Sequence, residues 1–306
     1  MLIVAWVSIR GGDESTSNNP QESSPETAET YLDAPSTLMN VQAPTLPGWG
    51  RTSCIVINLA RNSDRMRVIS SAYHASDMAS VIPMRRFDAI DAALLPDLMV
   101  YLSPRAKHQL TETLSMGYRK RHADLTPGAV GCFLSHVTVL RMLAEDAGVD
   151  TMLILEDDAD IRPDILARVS EIGSILPSRW DLVMLGHHYQ VLDHSMDPLP
   201  LIRKVHTFWG THAYFVTKKA ARIILENFER RRIMLQYDSQ LSTMSVKGEL
   251  CIFTTKLSHG ISSNATYSDI QLTLEENRSV NPYELLEGFN DVVETIMSSI
   301  GINIPI

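Results

Sequence analysis

The sequence is poor in cysteine and has no long apolar run, and each absence excludes a class of protein. Its 306 residues include three cysteines, Cys54, Cys132 and Cys251, which lie far apart without a Cys-x-x-Cys spacing. This pattern supports neither a disulfide framework nor a zinc site. The apolar start, residues 1–9, is interrupted by Arg10 at about half the length that a membrane helix needs, so we expect no transmembrane span.

Basic residues are also scarce relative to acidic ones. The chain has 27 Lys and Arg against 36 Asp and Glu, which gives a formal net charge of −9. A nucleic-acid partner is therefore not expected, because such partners require a basic surface. The basic run at residues 119–122 is interpreted as a solvated loop, with phosphate contact as the alternative. Hydrophobic residues make up 44% of the chain, enough for the core of one large or two modest domains.

Composition divides the chain into three parts. Residues 11–48 are dominated by Ser, Thr, Pro, Asn and Glu and contain few large apolar residues. Such a segment cannot bury enough surface to offset the entropy that ordering costs. We therefore predict a disordered leader over residues 1–50, a folded domain over residues 51–280 and a helical tail over residues 281–306.

Within the predicted domain, short apolar runs alternate with segments of helical periodicity. The run at residues 54–60 is rich in β-branched residues and predicts a buried strand, as does the apolar run at residues 152–155. Thr126 and Pro127 predict the start of a long helix, since Thr suits the N-cap and Pro the first helical position. The alternation predicts an α/β fold with one mostly parallel sheet that helices cover on both faces.

Carboxylates are concentrated at the end of one predicted strand, in the sequence LILEDDAD at residues 153–160. In open α/β sheets, ligands bind beyond the carboxyl ends of the strands. Extended backbone would direct Glu156 and Asp158 to one side and Asp157 to the other. Two oxygen ligands on one side favour a hard cation, Mn²⁺ or Mg²⁺, which would relieve the repulsion between the charges. A solvated turn is the alternative interpretation.

A cation bound at this position indicates a particular chemistry. Together with a diphosphate it would neutralise the charge on a departing nucleoside diphosphate, which is what sugar transfer from a nucleotide sugar demands. A separate carboxylate would accept the proton of the attacking hydroxyl. Asp238 is the favoured base, although its sequence also fits a helix cap, and Asp269 is a rival. By analogy with other metal-dependent transferases, His259 is a candidate third metal ligand.

Several segments, in this order, resemble glycosyltransferase family 25, which includes bacterial lipopolysaccharide galactosyltransferases and animal collagen galactosyltransferases. They are VINLARNSDR, RRFDAIDA, LTPGAVGCFLSHVTVL, LILEDDADI, GTHAYFVTKKAARIIL and QYDSQL, within a resemblance that extends from about Cys54 to Ile270. The resemblance implies a GT-A-like fold in a single catalytic domain, a UDP-sugar donor that is usually UDP-galactose, a divalent metal, and inversion at the anomeric carbon. The acceptor would be a hydroxyl of a glycan or glycoprotein.

The resemblance also implies roles for individual residues. Glu156 and Asp158 match the metal and diphosphate motif, with Asp158 the favoured direct ligand, and Asp157 between them is assigned to the nucleotide. The other nucleotide-binding candidates are Asn58, Arg61 and Arg65 after the first strand, Asp91 at the end of the second strand, and Ser135 and His136 on the helix after Thr126. For Ser135 and His136, a purely structural role is the alternative.

Two positions depart from the family pattern. Ala92 stands where Gly is frequent, and Ala129 stands where Glu is frequent. These departures leave open a second hypothesis, a catalytically degenerate member that binds carbohydrate or acts as a scaffold. A third hypothesis is a metal-dependent phosphohydrolase, but such enzymes often place their key Asp on the first strand, which here ends in Asn58. The compartment stays open between the cytoplasm and the secretory-pathway lumen.

Overall fold

One sheet organises the part of the chain that the computed structural model describes, which comprises residues 43–119, 124–193, 199–256 and 260–263. Most of the predicted leader, the predicted tail and residues 120–122 of the basic run lie outside these ranges, as do the candidates Asp269 and His259. The strands of the described residues are β1 Thr45–Leu46, β2 Gly50–Asn58, β3 Met84–Asp88, β4 Thr151–Glu156, β5 Leu182–Gly186, β6 Tyr189–Leu192, β7 Ile202–Trp209, β8 Ala213–Thr217 and β9 Ile252–Thr255.

Several of the helices begin at a side-chain cap. Ser103, Thr126 and Thr217 each accept a hydrogen bond from the backbone N–H three residues further along the chain, which satisfies a donor that the first turn leaves free. The helix predicted to begin after Thr126 is thereby confirmed. The α-helices of the described residues are α1 Ser63–His74, α2 Pro104–Met116, α3 Pro127–Glu145, α4 Ile165–Ser174, α5 Lys218–Arg231 and α6 Tyr237–Val246.

The strand order is β1-β2-β4-β8-β5-β9-β7-β6, with β3 also paired to β2. β2 is parallel to β3 and β4, and β5 is parallel to β9, whereas β8 is antiparallel to both β4 and β5. The predicted α/β class is confirmed, but the sheet is mixed rather than mostly parallel. The reason is that no helix intervenes between β5 and β8 in the described residues, and parallel neighbours need a long, usually helical, crossover.

Alternate residues of the central strands supply two hydrophobic cores, one on each face of the sheet. Ile55 and Ile154 pack with α3, α5 and α6 on one face. Cys54 and Leu153 pack with α1 and α4 on the other face. Successive strand residues point to opposite faces, so a strand covered on both sides is apolar throughout. This explains why the sequences of β2 and β4 contain continuous apolar runs.

The predicted boundary of the folded domain at residue 51 lies too far along the chain. Thr45 and Leu46 already pair with β2, and Trp49 is buried. Its indole Nε1 donates to the Val169 carbonyl at 3.0 Å, and its ring stacks on Phe215 with 4.0 Å between centroids. An isolated Trp in a polar sequence was too weak a signal to show that residues 45–50 belong to the fold.

Helix α3 is the central helix of one face. Among the described residues it is the one helix whose length and composition would suffice to cross a membrane, but 67% of its apolar window is buried inside the structure. Such burial is typical of the core helix of a folded domain, because a helix that is apolar on most sides must be surrounded by other elements.

Candidate active site

A pocket lies where β2, β3 and β4 end at the same edge of the sheet. Because these strands are parallel, their last residues, Asn58, Asp88 and Glu156, come to one edge, beyond which ligands bind in open α/β sheets. Loops after β2 and β3, the first half of α3 and the turn after β4 form the walls. The predicted site residues in this lining are Arg61, Arg65, Asp91, Ser135, His136, Glu156, Asp157 and Asp158.

The three clustered carboxylates lie on a turn rather than on extended backbone. β4 ends at Glu156, and the Ala159 N–H donates to the Glu156 carbonyl at 3.1 Å. The prediction that Asp157 points away from Glu156 and Asp158 is therefore wrong, since it assumed that the strand continues. All three carboxylates line the same pocket.

The Glu156 carboxylate is held from two sides. Its Oε1 accepts hydrogen bonds from Thr211 Oγ1 at 2.7 Å and from His136 Nε2 at 3.2 Å. Burial by itself would raise the pKa of Glu156, but these two hydrogen bonds and the electrostatic attraction of His136 outweigh burial and lower that pKa. Glu156 is therefore ionised at neutral pH.

Asp157 is paired within the protein. Its Oδ2 accepts a hydrogen bond from Asn58 Nδ2 at 2.6 Å, and its Oδ1 lies 2.5 Å from Arg65 Nη2. Burial, together with the charges of Asp158 and Glu156, raises the pKa of Asp157 to about 6 despite the opposing effects of Asn58 and Arg65. Asn58 and Arg65, predicted to contact the nucleotide, thus also fix the acidic turn.

Asp158 has one carboxylate oxygen without a partner in the part of the chain that the structure describes. Its Oδ2 accepts a hydrogen bond from Ser263 Oγ at 2.6 Å and lies 3.8 Å from Arg65 Nη2. Its Oδ1 is buried and has no hydrogen-bond partner among the described residues. A buried carboxylate oxygen without a partner costs free energy, so this atom indicates a ligand that supplies positive charge.

The residues present fit a hard divalent cation. Arg65 offers a single positive charge against the three carboxylates of residues 156–158. Carboxylate oxygens are the ligands that Mg²⁺ and Mn²⁺ prefer, and the free oxygen of Asp158 beside Glu156 provides such ligands. Glu156 and Asp158 are the residues that would hold the ion.

A second ion pair borders the same pocket. The prediction that Asp91 ends the second strand is wrong, because β3 ends at Asp88. Asp91 instead caps the short 3₁₀ helix Ala92–Leu94 through Oδ1, which accepts from the Ala93 N–H at 3.1 Å. Its Oδ2 forms an ion pair with Arg61. Arg61 and Asp91 are therefore placed as a pair in the pocket wall.

Ser135 joins helix α3 to the loop after β3. Its hydroxyl donates to the Gly131 carbonyl at 2.7 Å and accepts from the Ile90 N–H at 2.8 Å. The helix and loop approach so closely that a Cβ on Gly131 would lie 2.5 Å from the Ile90 carbonyl oxygen. These contacts favour the structural alternative for Ser135, which shapes the pocket wall by holding the loop.

His136 is fully buried between the acidic turn and two tyrosines. Its ring stacks on Tyr237, with 4.5 Å between centroids and 10° between planes, and its Nδ1 lies 2.9 Å from Tyr214 Oη. Its Nε2 faces Glu156, as described above. His136 thus positions the carboxylate at the end of β4, and its own orientation is fixed from behind by the Tyr214 hydroxyl.

Asp238 lies in the first turn of α6, whose N-cap is Gln236, so the helix-cap alternative for Asp238 is wrong. Its Oδ2 accepts from the Gly210 N–H at 2.9 Å, and its Oδ1 accepts from the Ser239 N–H at 2.6 Å. Burial raises the pKa of Asp238, and the negative charge of Glu156 adds to this effect. The hydrogen bonds from Gly210 and Ser239 oppose it. Since Gly210 precedes Thr211, the same loop holds both Asp238 and Glu156.

A short segment after β9 closes over the acidic turn. We call residues 260–263 the clasp. The Asp160 N–H donates to the Ser262 carbonyl, and the Ile261 N–H donates to the Leu185 carbonyl, both at 2.8 Å. The buried His212 adds a third contact through Nε2, 2.8 Å from the Ile261 carbonyl oxygen. The clasp carries Ser263, the partner of Asp158, and no feature of its sequence predicted this role.

A second cavity lies beside the clasp. Burial lowers the pKa of His187 to about 4. Burial and the charge of His212 also lower the pKa of His188, although the negative charges of nearby carboxylates, which include Asp158 and Asp238, oppose that shift. These imidazoles are therefore neutral at neutral pH and can both donate and accept hydrogen bonds. The lining consists of Asp160, Arg162, Leu185, His187, His188, His212 and the clasp.

The fold and site define an α/β domain with a carboxylate turn at the carboxyl edge of its sheet, and part of this domain is similar to a known protein family. The family model described as glycosyltransferase family 25 (LPS biosynthesis protein) matches residues 52–190. This match covers somewhat less than half of the chain, and it agrees with the resemblance to glycosyltransferase family 25 that the sequence motifs indicated.

The similar proteins include one that is named as a galactosyltransferase and one that is named as an inactive glycosyltransferase. The chain is 25% identical over 218 residues to procollagen galactosyltransferase 1 of Danio rerio, which covers 69% of this chain and 34% of the relative. It is 29% identical over 229 residues to inactive glycosyltransferase 25 family member 3 of Mus musculus, covering 71% of this chain and 36% of the relative. The chain thus spans about a third of the length of these relatives.

A solved structure of galactosyltransferase LgtC in complex with donor and acceptor sugar analogues is also similar. The match covers 80% of this chain and 95% of that chain, at 10% sequence identity and a TM-score of 0.35. At this level of similarity no residue role is transferred from that structure.

Proposed function

We propose that this chain is a metal-dependent glycosyltransferase that moves a sugar, with galactose favoured, from a UDP-sugar to a hydroxyl of a glycan or glycoprotein with inversion. The observation that carries the proposal is the buried Oδ1 of Asp158, which has no hydrogen-bond partner among the described residues and lines the same pocket as Glu156 at the carboxyl end of β4. The match of residues 52–190 to the glycosyltransferase family 25 model supports it, as does the similarity to a procollagen galactosyltransferase.

The nucleotide would lie in the pocket between the acidic turn and the loops after β2 and β3. Arg61 and Asp91 in its wall would exchange their ion pair for contacts with the nucleotide. Asn58 and Arg65 would hold the turn rigid by binding Asp157, while the Oδ1 of Asp158 keeps no hydrogen-bond partner among the described residues. Rigid placement matters because the turn must meet charge that develops only in the transition state.

Mn²⁺ is the favoured ion, with Mg²⁺ as the alternative, and when bound it would supply charge neutralisation for the departing diphosphate. The protein's own contribution is to orient the ligands and to keep Glu156 ionised. Thr211 and His136 do both for Glu156, and Ser263 orients one oxygen of Asp158.

Asp238 would accept the proton of the attacking hydroxyl. A buried carboxylate with a raised pKa is a better proton acceptor at neutral pH than an ordinary one. Its two backbone donors, Gly210 and Ser239, fix its orientation. The acceptor would occupy the neighbouring cavity, where His187, His188 and Asp160 offer the donors and acceptors that sugar hydroxyls require.

A donor screen tests the proposal. UDP release should be measured from a set of nucleotide sugars with Mn²⁺ and with a chelator, and binding of UDP should be measured separately by thermal shift with and without Mn²⁺. We expect metal-dependent stabilisation by UDP and metal-dependent turnover of a UDP-hexose. Absence of both would reject the proposal.

A non-catalytic family member is the second candidate function, and the similarity to relatives named inactive favours it. The same screen separates the two. A protein that UDP and Mn²⁺ stabilise, but that releases UDP from no donor in the presence of glycan or glycoprotein acceptors, would support a binding function over a transferase.

A further inference from the structure

We propose that Cys132, His136 and Glu156 form a binding site for a thiophilic divalent cation, represented by Zn²⁺, that is distinct from the hard-cation site at Glu156 and Asp158. The thiol Sγ, an imidazole nitrogen and a carboxylate oxygen of these residues all lie within 4.8 Å of one another. Zinc binds this combination of sulfur, nitrogen and oxygen ligands, whereas Mg²⁺ and Mn²⁺ prefer oxygen.

Helix α3 and strand β4 bring the three ligands together. Cys132 and His136 are four residues apart on α3 and therefore lie on the same face, one turn apart. Glu156 ends β4, opposite that face. The sequence excluded a zinc site because the cysteines are far from one another, but here a single cysteine is joined by a His on its own helix and a Glu from a neighbouring strand.

The spacing agrees with tetrahedral zinc. Bonds of about 2.0–2.1 Å from one ion to a nitrogen and an oxygen place those two atoms about 3.3 Å apart, and His136 Nε2 lies 3.2 Å from Glu156 Oε1. A zinc–sulfur bond of about 2.3 Å places sulfur about 3.6 Å from either atom. The Cys132 thiol therefore needs a movement of about 1 Å, within the range of a side-chain rotation.

The groups behind His136 suit a metal ligand. Ligating histidines usually donate their other ring N–H to a neighbouring acceptor, which fixes the ring and its tautomer. Tyr214 Oη, 2.9 Å from His136 Nδ1, is such an acceptor, and it can pass its own proton toward Tyr237 Oη at 3.2 Å. The imidazole then keeps one proton, moved from Nε2 to Nδ1, and presents a lone pair at Nε2.

The protons balance in this exchange. Zn²⁺ replaces the proton of the Cys132 thiol, which leaves for solvent, and it replaces the hydrogen bond between His136 and Glu156. The net charge of the three ligands is then −2, from thiolate and carboxylate, and the ion neutralises it. A water molecule would complete the tetrahedron, because the site opens into the pocket that Cys132 and Glu156 line.

Sharing of Glu156 makes the two cation sites mutually exclusive. Zinc bound at Cys132 would withdraw Glu156 from the hard-cation site, so it would act as an inhibitor of metal-dependent turnover. This consequence rests on the proposed function, whereas the site itself does not.

Direct binding tests the site in the full-length protein. Zn²⁺ affinity should be measured by calorimetry, and Co²⁺ should be used as a spectroscopic substitute, since a thiolate ligand gives it a charge-transfer band in the near ultraviolet. We expect one site per chain, a thiolate band in the unaltered protein, loss of that band in Cys132→Ser, and at least a tenfold weaker affinity in that variant. Tyr214→Phe should weaken binding by about tenfold, as loss of a group behind a ligand does.

Two control variants complete the experiment. Cys251→Ser removes a buried thiol that donates a hydrogen bond to the Arg179 carbonyl, and this variant should leave Zn²⁺ affinity and the band unchanged. Asp158→Asn disables the hard-cation site and should retain the zinc site. The proposal would be overturned if the protein showed no saturable Zn²⁺ binding, or if Cys132→Ser left the affinity unchanged. It would also be overturned if Asp158→Asn abolished Zn²⁺ binding while Cys132→Ser retained it. UDP release is scored separately, so a failed zinc site and a failed transferase are distinguishable.

Discussion

The parallel and antiparallel parts of the sheet contribute to the site in different ways. β2, β3 and β4 run parallel and deliver the ends of neighbouring strands to one edge, where the acidic turn, Arg61 and Arg65 meet. β5 to β9 are mostly antiparallel, and their region contributes single residues from loops, such as Thr211 and Ser263. One part supplies the charges, and the other holds those charges in position. The predictions below separate these contributions.

The largest effect is expected from the parallel part. Asp158→Ala removes the free carboxylate oxygen at the acidic turn, and loss of a metal ligand worth about 4 kcal/mol corresponds to about a 1,000-fold lower rate of UDP release. Asp150→Ala is the matched control, because it removes a carboxylate at the opposite end of β4 that pairs with Arg51 and lines neither cavity. Equal losses in both variants would contradict the proposed metal site.

Asp238→Asn tests the antiparallel side of the site. Removal of a general base costs about 100- to 10,000-fold in kcat, and UDP binding should persist because Asp238 is not among the residues that line the nucleotide pocket. The raised pKa of Asp238 means that the base becomes protonated, and activity falls, at a higher pH than an ordinary Asp would give. A pH profile of kcat should show this acid limb, and an unchanged profile in the variant would exclude Asp238 as the base.

Asp157→Asn is expected to change the pH dependence of stability. Because the pKa of Asp157 is raised to about 6 in the folded state from an ordinary value of 3.8, the folded protein binds this proton more tightly than the unfolded chain does. The free energy of unfolding contributed by this group therefore rises as the pH is lowered from about 7.5 to 4.5, by about 2 kcal/mol. Urea denaturation at the two pH values should show that increment in the unaltered protein and its loss in Asp157→Asn; an equal increment in both would contradict the assignment.

Gly210→Ala should have the smallest effect on stability and a specific effect on the base. Gly210 and Gly248 both have positive φ, at 92° and 71°, so alanine costs about 1 kcal/mol of backbone strain at either position. Only at Gly210 would the new Cβ meet a side chain, His188 Cδ2 at 2.8 Å, whereas nothing lies within 4 Å at Gly248. We therefore expect Gly210→Ala to lose more unfolding free energy than Gly248→Ala, because of the contact with His188. We also expect a lower kcat in Gly210→Ala and not in Gly248→Ala, because the Gly210 N–H orients Asp238.

The fold of the parallel part could largely be predicted from the sequence, because β2 and β4 are buried on both faces and are therefore apolar throughout. The antiparallel part could not, because the direction of β8 depends on the chain returning without a helix, which no local pattern encodes. The extended geometry assumed for residues 156–158 was wrong for a related reason: the turn after Glu156 is closed by backbone contacts with the clasp, about 100 residues away.

The same distinction applies to the site. The placement of Glu156 and Asp158 in the pocket could be predicted because they lie at the end of a strand, at an edge where ligands bind, and their role as metal ligands stays a prediction. Thr211 and Ser263 are common polar residues whose importance arises from what they touch in the folded protein. Ser135 had a recognisable motif, but its hydroxyl is occupied by Gly131 and Ile90. Assignment of roles to the predicted residues therefore still depends on the measurements above.

The clasp gives the carboxyl-terminal sequence a mechanical connection to the acidic turn. Ser263 is hydrogen-bonded to Asp158, and the adjoining backbone is hydrogen-bonded to Asp160 and Leu185. Tension or a bulky modification applied just beyond residue 263 would therefore act on the Asp158 carboxylate directly through Ser263. An affinity handle placed close behind the clasp would therefore disturb cation binding, whereas the same handle ahead of β1 would pull on the opposite end of β2, remote from the acids.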